Sequence, residues 1–111
     1  MLRGILYETI QADADGATVR LLPESPVYQG HFPGYVITPG VCLVQMALEL
    51  IGEMAGRKVR LVAAKNIKFV APVSPAGGTE LRFKLAGAGS NWSVEVFNGE
   101  VLSAKMSLVV E

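Results

Sequence analysis

The chain has 111 residues, a length that suits one domain with one hydrophobic core. Hydrophobic residues make up 50% of it and charged residues 18%, and this apolar balance predicts an oligomer that buries apolar surface between subunits. Ten basic and ten acidic side chains cancel, so the overall charge does not indicate a nucleic-acid partner. The single cysteine, Cys42, excludes an internal disulfide and a multi-cysteine metal site, and is interpreted as a small buried hydrophobe.

The chain shows no targeting or membrane signal. Residues 1–8 lack the long apolar segment of a signal peptide, and no apolar run approaches the roughly 18 residues that cross a membrane. We therefore expect a cytoplasmic protein without a membrane span. No linker, repeat or low-complexity tract divides the chain, which predicts a single domain over residues 1–111.

Two strands are predicted before the first proline. Residues 3–11 form the first strand, residues 13–16 have turn chemistry, and residues 17–22 form a second strand that pairs back on the first. Pro23 and Pro26 end this strand. A short turn or 3₁₀ segment is expected over residues 25–29, followed by a loop over residues 30–39.

A helix is predicted over residues 41–55. Apolar side chains cover most of its circumference, which is typical of an enclosed helix. Gln45, Glu49 and Glu53 are spaced at four residues and so form one polar stripe. Gly56 is expected to end the helix at the C′ position.

Only strands are predicted after the helix, in residues 57–70 and in alternating runs at residues 81–85, 92–96 and 102–110. The dipeptide Asn98-Gly99 predicts a type I′ hairpin between the last two. An enclosed helix between two early and four late strands is most simply covered by one antiparallel sheet curled around it. The sequence therefore predicts an α+β domain.

The only histidine, His31, lies in the string HFPGYVITPG at residues 31–40, directly before the helix. An imidazole with a reference pKa of about 6.5 can act as a base at neutral pH. The Gly-His-Phe-Pro-Gly string at residues 30–34, followed by Pro-Gly-Val at residues 39–41, resembles the signature of the FabZ/FabA family of 3-hydroxyacyl-[acyl-carrier-protein] dehydratases. Residues 66–75, NIKFVAPVSP, look like the strand and turn that follow the central helix in that family. The resemblance implies the hotdog fold, a sheet wrapped around one long central helix.

The resemblance also implies where the site lies. In that family a histidine and a helix carboxylate from two subunits face each other across a dimer interface, so we expect a homodimer or a higher even oligomer. The histidine corresponds to His31. The carboxylate position falls on Gln45, and the glutamine usual one turn later is Glu49, so the two residue types are exchanged. The family's donor to the thioester carbonyl corresponds to the Gly40 backbone N–H, and further substrate contacts are implied for Phe32, Pro33, Gly34, Tyr35, Ile37 and Val41.

Dehydration of a 3-hydroxyacyl thioester needs a base, a donor to the enolate oxygen and an acid for the departing hydroxyl. His31 suits the first task, and the Gly40 N–H at a positive helix end suits the second. Gln45 can hydrogen-bond the hydroxyl but cannot protonate it, and loss of a general acid costs roughly 10²–10⁴ in rate. Three possibilities stay open: Glu49 supplies the acid, His31 makes both proton transfers, or the domain binds acyl thioesters without turning them over.

This interpretation leaves three alternative functions. The first is a dehydratase that forms trans-2-enoyl thioesters on an acyl carrier protein in fatty-acid or polyene synthesis, with no metal and no redox cofactor. The second is a weak or silent hotdog subunit of a hetero-oligomer, in which another chain supplies the carboxylate. The third is a thioesterase, from which the HFPG string points away.

Each candidate residue also has a structural interpretation. Gln45 and Glu49 fit satisfied polar groups at a subunit interface, and Tyr35 fits either a tunnel wall or a loop cap. The chain also carries basic residues that suit either the acidic surface of an acyl carrier protein or a solvated strand face, namely Arg57, Lys58, Arg60, Lys65 and Lys68.

Overall fold

The computed structural model describes residues 1–29 and 36–111. Within these ranges the chain forms six strands, one α-helix and one short 3₁₀ helix. The elements are β1 (Tyr7–Asp13), β2 (Gly16–Leu21), the 3₁₀ helix (Pro26–Tyr28), α1 (Gly40–Ala55), β3 (Leu61–Phe69), β4 (Glu80–Ala88), β5 (Asn91–Asn98) and β6 (Val101–Val110). The predicted order of two strands, one helix and four strands is confirmed.

The strands form a single antiparallel sheet in the order β1-β2-β4-β5-β6-β3. Alternate side chains of the central strands are buried, such as Phe83 of β4, Val94 of β5 and Met106 of β6. They share one hydrophobic core with Met46 and Ile51 of α1. The predicted α+β architecture, with one sheet against one long helix, is therefore confirmed.

The helix is enclosed on one side only. Met46, Leu50 and Ile51 are buried, whereas Val41 is 74% exposed and Leu48 is half-buried. The predicted sheet packs against one side of α1 and leaves this second face open. An apolar helix face left open by its own chain is typical of a surface that a ligand or another chain covers.

The first strand begins later than predicted, at Tyr7 instead of residue 3. Gly4 has a φ of 80°, and its N–H donates to the Tyr7 carbonyl oxygen at 2.7 Å. The N–H groups of Ile5 and Leu6 both turn back to the Leu2 carbonyl oxygen. Residues 2–7 therefore form a compact turn, which a period-two pattern does not reveal.

The hairpin between β5 and β6 is confirmed, but its turn is not type I′. A type I′ turn needs positive φ at both central residues. Asn98 pairs with Val101, so the central residues are Gly99 and Glu100, and only Gly99 has a positive φ, at 62°. Glycine at the first central position is typical of a type II′ turn.

β3 is an irregular strand at one edge of the sheet. It begins at Leu61, after the predicted start at residue 57. Its ladder with β6 shifts between Leu61 and Ala63 and again between Lys65 and Lys68, where Asn66 has a φ of 53°. Such bulges are common at sheet edges and beside functional sites.

Candidate active site

An open cavity of about 810 Å³ runs along the exposed face of α1. A volume of this size is typical of small-molecule sites. The helix contributes one polar but uncharged side chain to its wall, that of Gln45. The apolar part of the wall includes Val41, Val44, Leu48, Val59 and Leu61.

Glu49 connects the middle of α1 to the start of the chain. It is 8% exposed, and its carboxylate accepts four hydrogen bonds. Oε2 accepts from the Leu2 N–H at 2.8 Å and from Gln45 Nε2 at 2.9 Å. Oε1 accepts from the Arg3 N–H at 3.1 Å and from the Tyr7 hydroxyl at 2.9 Å. Four donors match the roughly four lone-pair positions of an ionised carboxylate.

These contacts determine the charge of Glu49. Burial raises its pKa, but the hydrogen bonds from Leu2, Gln45, Tyr7 and Arg3 outweigh burial and hold the pKa below its ordinary value. Burial and the bond to Glu49 both raise the pKa of Tyr7, so its phenol stays protonated and donates. Glu49 is therefore an ionised acceptor at neutral pH.

The polar stripe predicted on the helix is confirmed. Gln45 is exposed, lines the cavity and donates to Glu49, one turn further along α1. Glu53, the next member, forms an ion pair with Arg3. The three side chains thus form one line, and the first residues of the chain lie against its second half.

The backbone N–H donors at the start of α1 have no side-chain hydrogen bond to the N-cap residue. Pro39 is the N-cap and supplies no side-chain hydrogen bond. Within residues 1–29 and 36–111, no acceptor is found for the N–H groups of Gly40 and Val41. The N–H groups at a helix start and the helix dipole together make this end attractive to a negatively charged oxygen.

Phe69 occupies the space beside Gly40. A Cβ built on Gly40 would lie 2.5 Å from Cζ of the Phe69 ring, closer than any ordinary contact. Phe69 is the last residue of β3 and is 54% exposed. The motif around Gly40 does not reveal this neighbour, because the two residues meet only through the fold. The structure thus adds a packing reason for glycine at position 40.

The residues on either side of the HFPG string are held together. The hydroxyls of Tyr28 and Thr38 lie 2.9 Å apart, and both residues are buried. The Thr38 N–H also donates to the Val73 carbonyl oxygen at 2.7 Å. The candidate residues His31, Phe32, Pro33, Gly34 and Tyr35 lie outside the described residues, and Ile37, beside Thr38, is 37% exposed.

Basic side chains border the cavity where the chain leaves α1. Arg57, Lys58 and Arg60 all contribute to its lining. Arg60 also forms an ion pair with Glu111, and the Arg57 guanidinium donates to the Gly89 carbonyl oxygen at 3.4 Å. The other two basic candidates, Lys65 and Lys68, are exposed on β3 and do not line the cavity.

The described parts of the chain offer no group of three or more His, Cys, Asp or Glu side chains that could hold a metal ion. Cys42 is partly buried, and burial raises the pKa of its thiol, as expected for a small hydrophobe. Across the same two ranges, no helix has the length and apolar character needed to cross a membrane.

The chain is similar to a known group of dehydratases. Residues 8–106 match the family described as ApeI-like: ApeI dehydratase. The 3-hydroxyacyl-[acyl-carrier-protein] dehydratase FabZ of Syntrophobacter fumaroxidans is 30% identical over 76% of this chain and 65% of its own length. FabZ of Geobacter metallireducens is 30% identical over 69% of this chain and 56% of its own. The chain thus spans less than two thirds of these curated relatives.

Solved structures give the fold. The dehydratase heterocomplex ApeI:P from Xenorhabdus doucetiae matches with a TM-score of 0.74 at 17% identity, over 93% of both chains. Thioesterase HI1161 from Haemophilus influenzae matches with a TM-score of 0.66 at 16% identity, over 96% of this chain and 78% of that one. These matches confirm the hotdog fold that the motifs implied. Together with the match over residues 8–106, they make the protein a hotdog-fold member of the ApeI-like dehydratase family.

Proposed function

We propose that the protein dehydrates 3-hydroxyacyl thioesters bound to an acyl carrier protein in the cytoplasm. The reaction removes a proton from C2 and the hydroxyl from C3, and it forms a trans-2 double bond and water. The observation that carries the proposal is the mainly apolar cavity along α1, with Gln45 as the uncharged polar group on its helix wall. Such a cavity suits an acyl chain with one hydroxyl near the thioester.

The proposed roles follow the chemistry of the reaction. His31 removes the C2 proton, and the Gly40 N–H donates to the enolate oxygen that forms on the thioester. Gln45 hydrogen-bonds the 3-hydroxyl. Val41 contacts the acyl chain, and the remaining proposed substrate contacts come from the preceding loop, namely Phe32, Pro33, Gly34, Tyr35 and Ile37.

The acid step is assigned to His31 as well. Glu49 is ionised and already accepts four hydrogen bonds, so it has neither a proton to give nor a lone pair for substrate. In the proposed order of steps, His31 takes the proton from C2 and then transfers it to the departing hydroxyl on the same face of the substrate. The bond from C3 to oxygen breaks, its electron pair leaves with the oxygen, and His31 returns to its neutral form.

An even oligomer is proposed to complete the site. Among the described strands β3 pairs only with β6, and Leu61, Val62 and Val70 on or beside its free side are 41%, 55% and 59% exposed. An apolar strand edge is a surface for pairing with another chain. A second copy seated there would cover the open face of α1 and bring His31 of one subunit toward Gln45 of the other.

A second candidate is a weak or silent subunit that pairs with a related chain. It is favoured by Gln45, because an amide leaves the site without the carboxylic acid of FabZ-like enzymes. The heterocomplex of the ApeI:P structure gives a precedent within the same fold. In this case the partner chain would bring the carboxylate across the β3 edge.

The test is turnover of a 3-hydroxyacyl thioester, followed by absorbance of the enoyl product, with His31→Ala as control. Turnover that is absent in the control, at an unchanged melting temperature, supports the proposed function. Binding without turnover, together with a related chain that copurifies from the native cell, supports the second candidate. Release of free thiol without enoyl product would instead identify a thioesterase.

A further inference from the structure

The hydrogen bond between Gln45 and Glu49 determines which end of the Gln45 amide faces the cavity. Gln45 Nε2 lies 2.9 Å from Glu49 Oε2. An ionised carboxylate only accepts hydrogen bonds, so the amide nitrogen must be the atom next to it. The carbonyl oxygen Oε1 then points away from Glu49, on an exposed side chain that lines the cavity.

Glu49 cannot turn to accommodate the opposite orientation. The backbone N–H groups of Leu2 and Arg3 and the Tyr7 hydroxyl hold its carboxylate at 2.8–3.1 Å, and two of these donors are fixed parts of the main chain. A flipped Gln45 amide would bring its oxygen against Oε2. Two acceptors at hydrogen-bond distance repel each other and leave a nearly buried carboxylate short of a donor.

We propose that Glu49 is a positioning residue that makes Gln45 present its carbonyl oxygen to the substrate, so that the site selects acyl thioesters with a hydrogen-bond donor on C3. This inference rests on the proposed function, in which Gln45 meets the 3-hydroxyl. A 3-hydroxyl donates to Oε1, whereas a 3-oxo group has no proton to donate. The site therefore accepts 3-hydroxyacyl thioesters and discriminates against 3-oxoacyl thioesters of the same chain length.

The orientation also suits the elimination. A hydroxyl that donates to Gln45 Oε1 keeps its own lone pairs free, and one of them receives the proton from His31. A reversed amide would donate into one of those lone pairs and compete with that transfer. Glu49, whose side chain also lines the cavity, thus acts on the reaction through its hydrogen bond to Gln45.

The test compares the binding of two inert probes by calorimetry. These are 3-hydroxyacyl and 3-oxoacyl pantetheine amides of equal chain length, in which an amide replaces the thioester. We expect the unchanged protein to bind the hydroxy probe about twofold to tenfold more tightly, as one neutral hydrogen bond allows. In Glu49→Gln and in Gln45→Leu this ratio falls to about one. The matched control Glu53→Gln removes the ion pair with Arg3, one turn further along α1, and keeps the ratio.

The outcomes separate this inference from the proposed function. Probes that bind with no hydroxyl preference, or with a preference that persists in Glu49→Gln, overturn the positioning role alone. An unchanged protein that binds neither probe overturns the proposed function and this inference with it. A preference that is lost in Glu49→Gln and kept in Glu53→Gln supports both.

A second measurement covers the case in which Glu49→Gln does not fold. The side-chain NH₂ signals of Gln45 are assigned in a nitrogen-15 spectrum of the unchanged protein by their loss in Gln45→Leu. We expect one of the two Gln45 amide protons to have a chemical shift far downfield, and we expect that shift to change when acid protonates Glu49. We also expect the hydroxy probe to shift the Gln45 carbonyl carbon signal more than the oxo probe does. The proposal would be overturned if both Gln45 amide protons had ordinary chemical shifts that changed neither with acid nor with either probe.

Discussion

The ring of Phe69 lies where a side chain at position 40 would have to go, with Cζ only 2.5 Å from the site of a Cβ on Gly40. The last residue of β3 and the first residue of α1 thus share one small volume at the start of the helix. Glycine at position 40 therefore satisfies two demands, the packing of an aromatic ring and access to the N–H that we propose as the donor to the thioester.

Gly40→Ala is expected to displace the Phe69 ring. Because that ring is 54% exposed and can move, the cost in unfolding free energy should be about 1 kcal/mol, at the low end for overpacking. The loss of activity should be larger, about tenfold or more in kcat/KM, because the donor N–H is disturbed. Urea unfolding and turnover assays measure the two effects. The double variant with Phe69→Leu should recover stability, and a Gly40→Ala protein with normal activity would contradict the assigned role.

Tyr28→Phe is expected to release one end of the HFPG segment. It removes the buried 2.9 Å contact with the Thr38 hydroxyl, which should cost about 1 kcal/mol of unfolding free energy. Activity should fall with it, because Tyr28 and Thr38 flank the segment that contains His31, the proposed base. Thr38→Val should have a similar effect, and the double variant should cost less than the sum of the two singles. Additive losses would show that the hydroxyls do not interact.

The stability of the fold should decrease on acidification because of Glu49. Its folded-state pKa lies below the ordinary value of 4.5, so its contribution is present above that value and is lost as the pH falls through the folded pKa. Unfolding free energies between neutral pH and about pH 3 measure the effect. Glu49→Gln should be less stable at neutral pH and should lose less on acidification. An acid dependence identical to that of the unchanged protein would mean that Glu49 is not the responsible group.

Val62→Lys is expected to prevent assembly through β3. Val62 is 55% exposed on the edge strand, and a lysine on an edge opposes pairing with another chain. Size-exclusion chromatography should show a monomer, and activity should be lost because the site needs two subunits. Ile10→Lys is the matched control, since Ile10 is 47% exposed on β1 at the opposite edge of the sheet. A control variant that dissociates while Val62→Lys does not would place the interface at the other edge.

Local patterns in the sequence predicted most of the fold. The helix ends at Ala55 as expected, because Gly56, with a left-handed φ of 71°, follows the last helical turn. The start of β1 and the turn at Gly99 were predicted wrongly, since both depend on backbone angles that a hydrophobic pattern does not encode. The polar stripe was predicted, but the partners of Glu49 were not. Leu2 is 47 residues from Glu49 in the sequence, and Tyr7 is 42 residues from it. Only the folded chain brings both of them to the Glu49 carboxylate.

The bond between Tyr28 and Thr38 has a consequence for engineering. Tyr28 and Thr38 both lie outside residues 30–35, and the contact between their hydroxyls holds together the two residues that flank this segment. A six-residue segment from a FabZ-like relative would join the chain between the same two flanking residues. We therefore expect that residues 30–35 can be exchanged for those of a relative, with Tyr28 and Thr38 kept, without redesign of the flanking strand or helix.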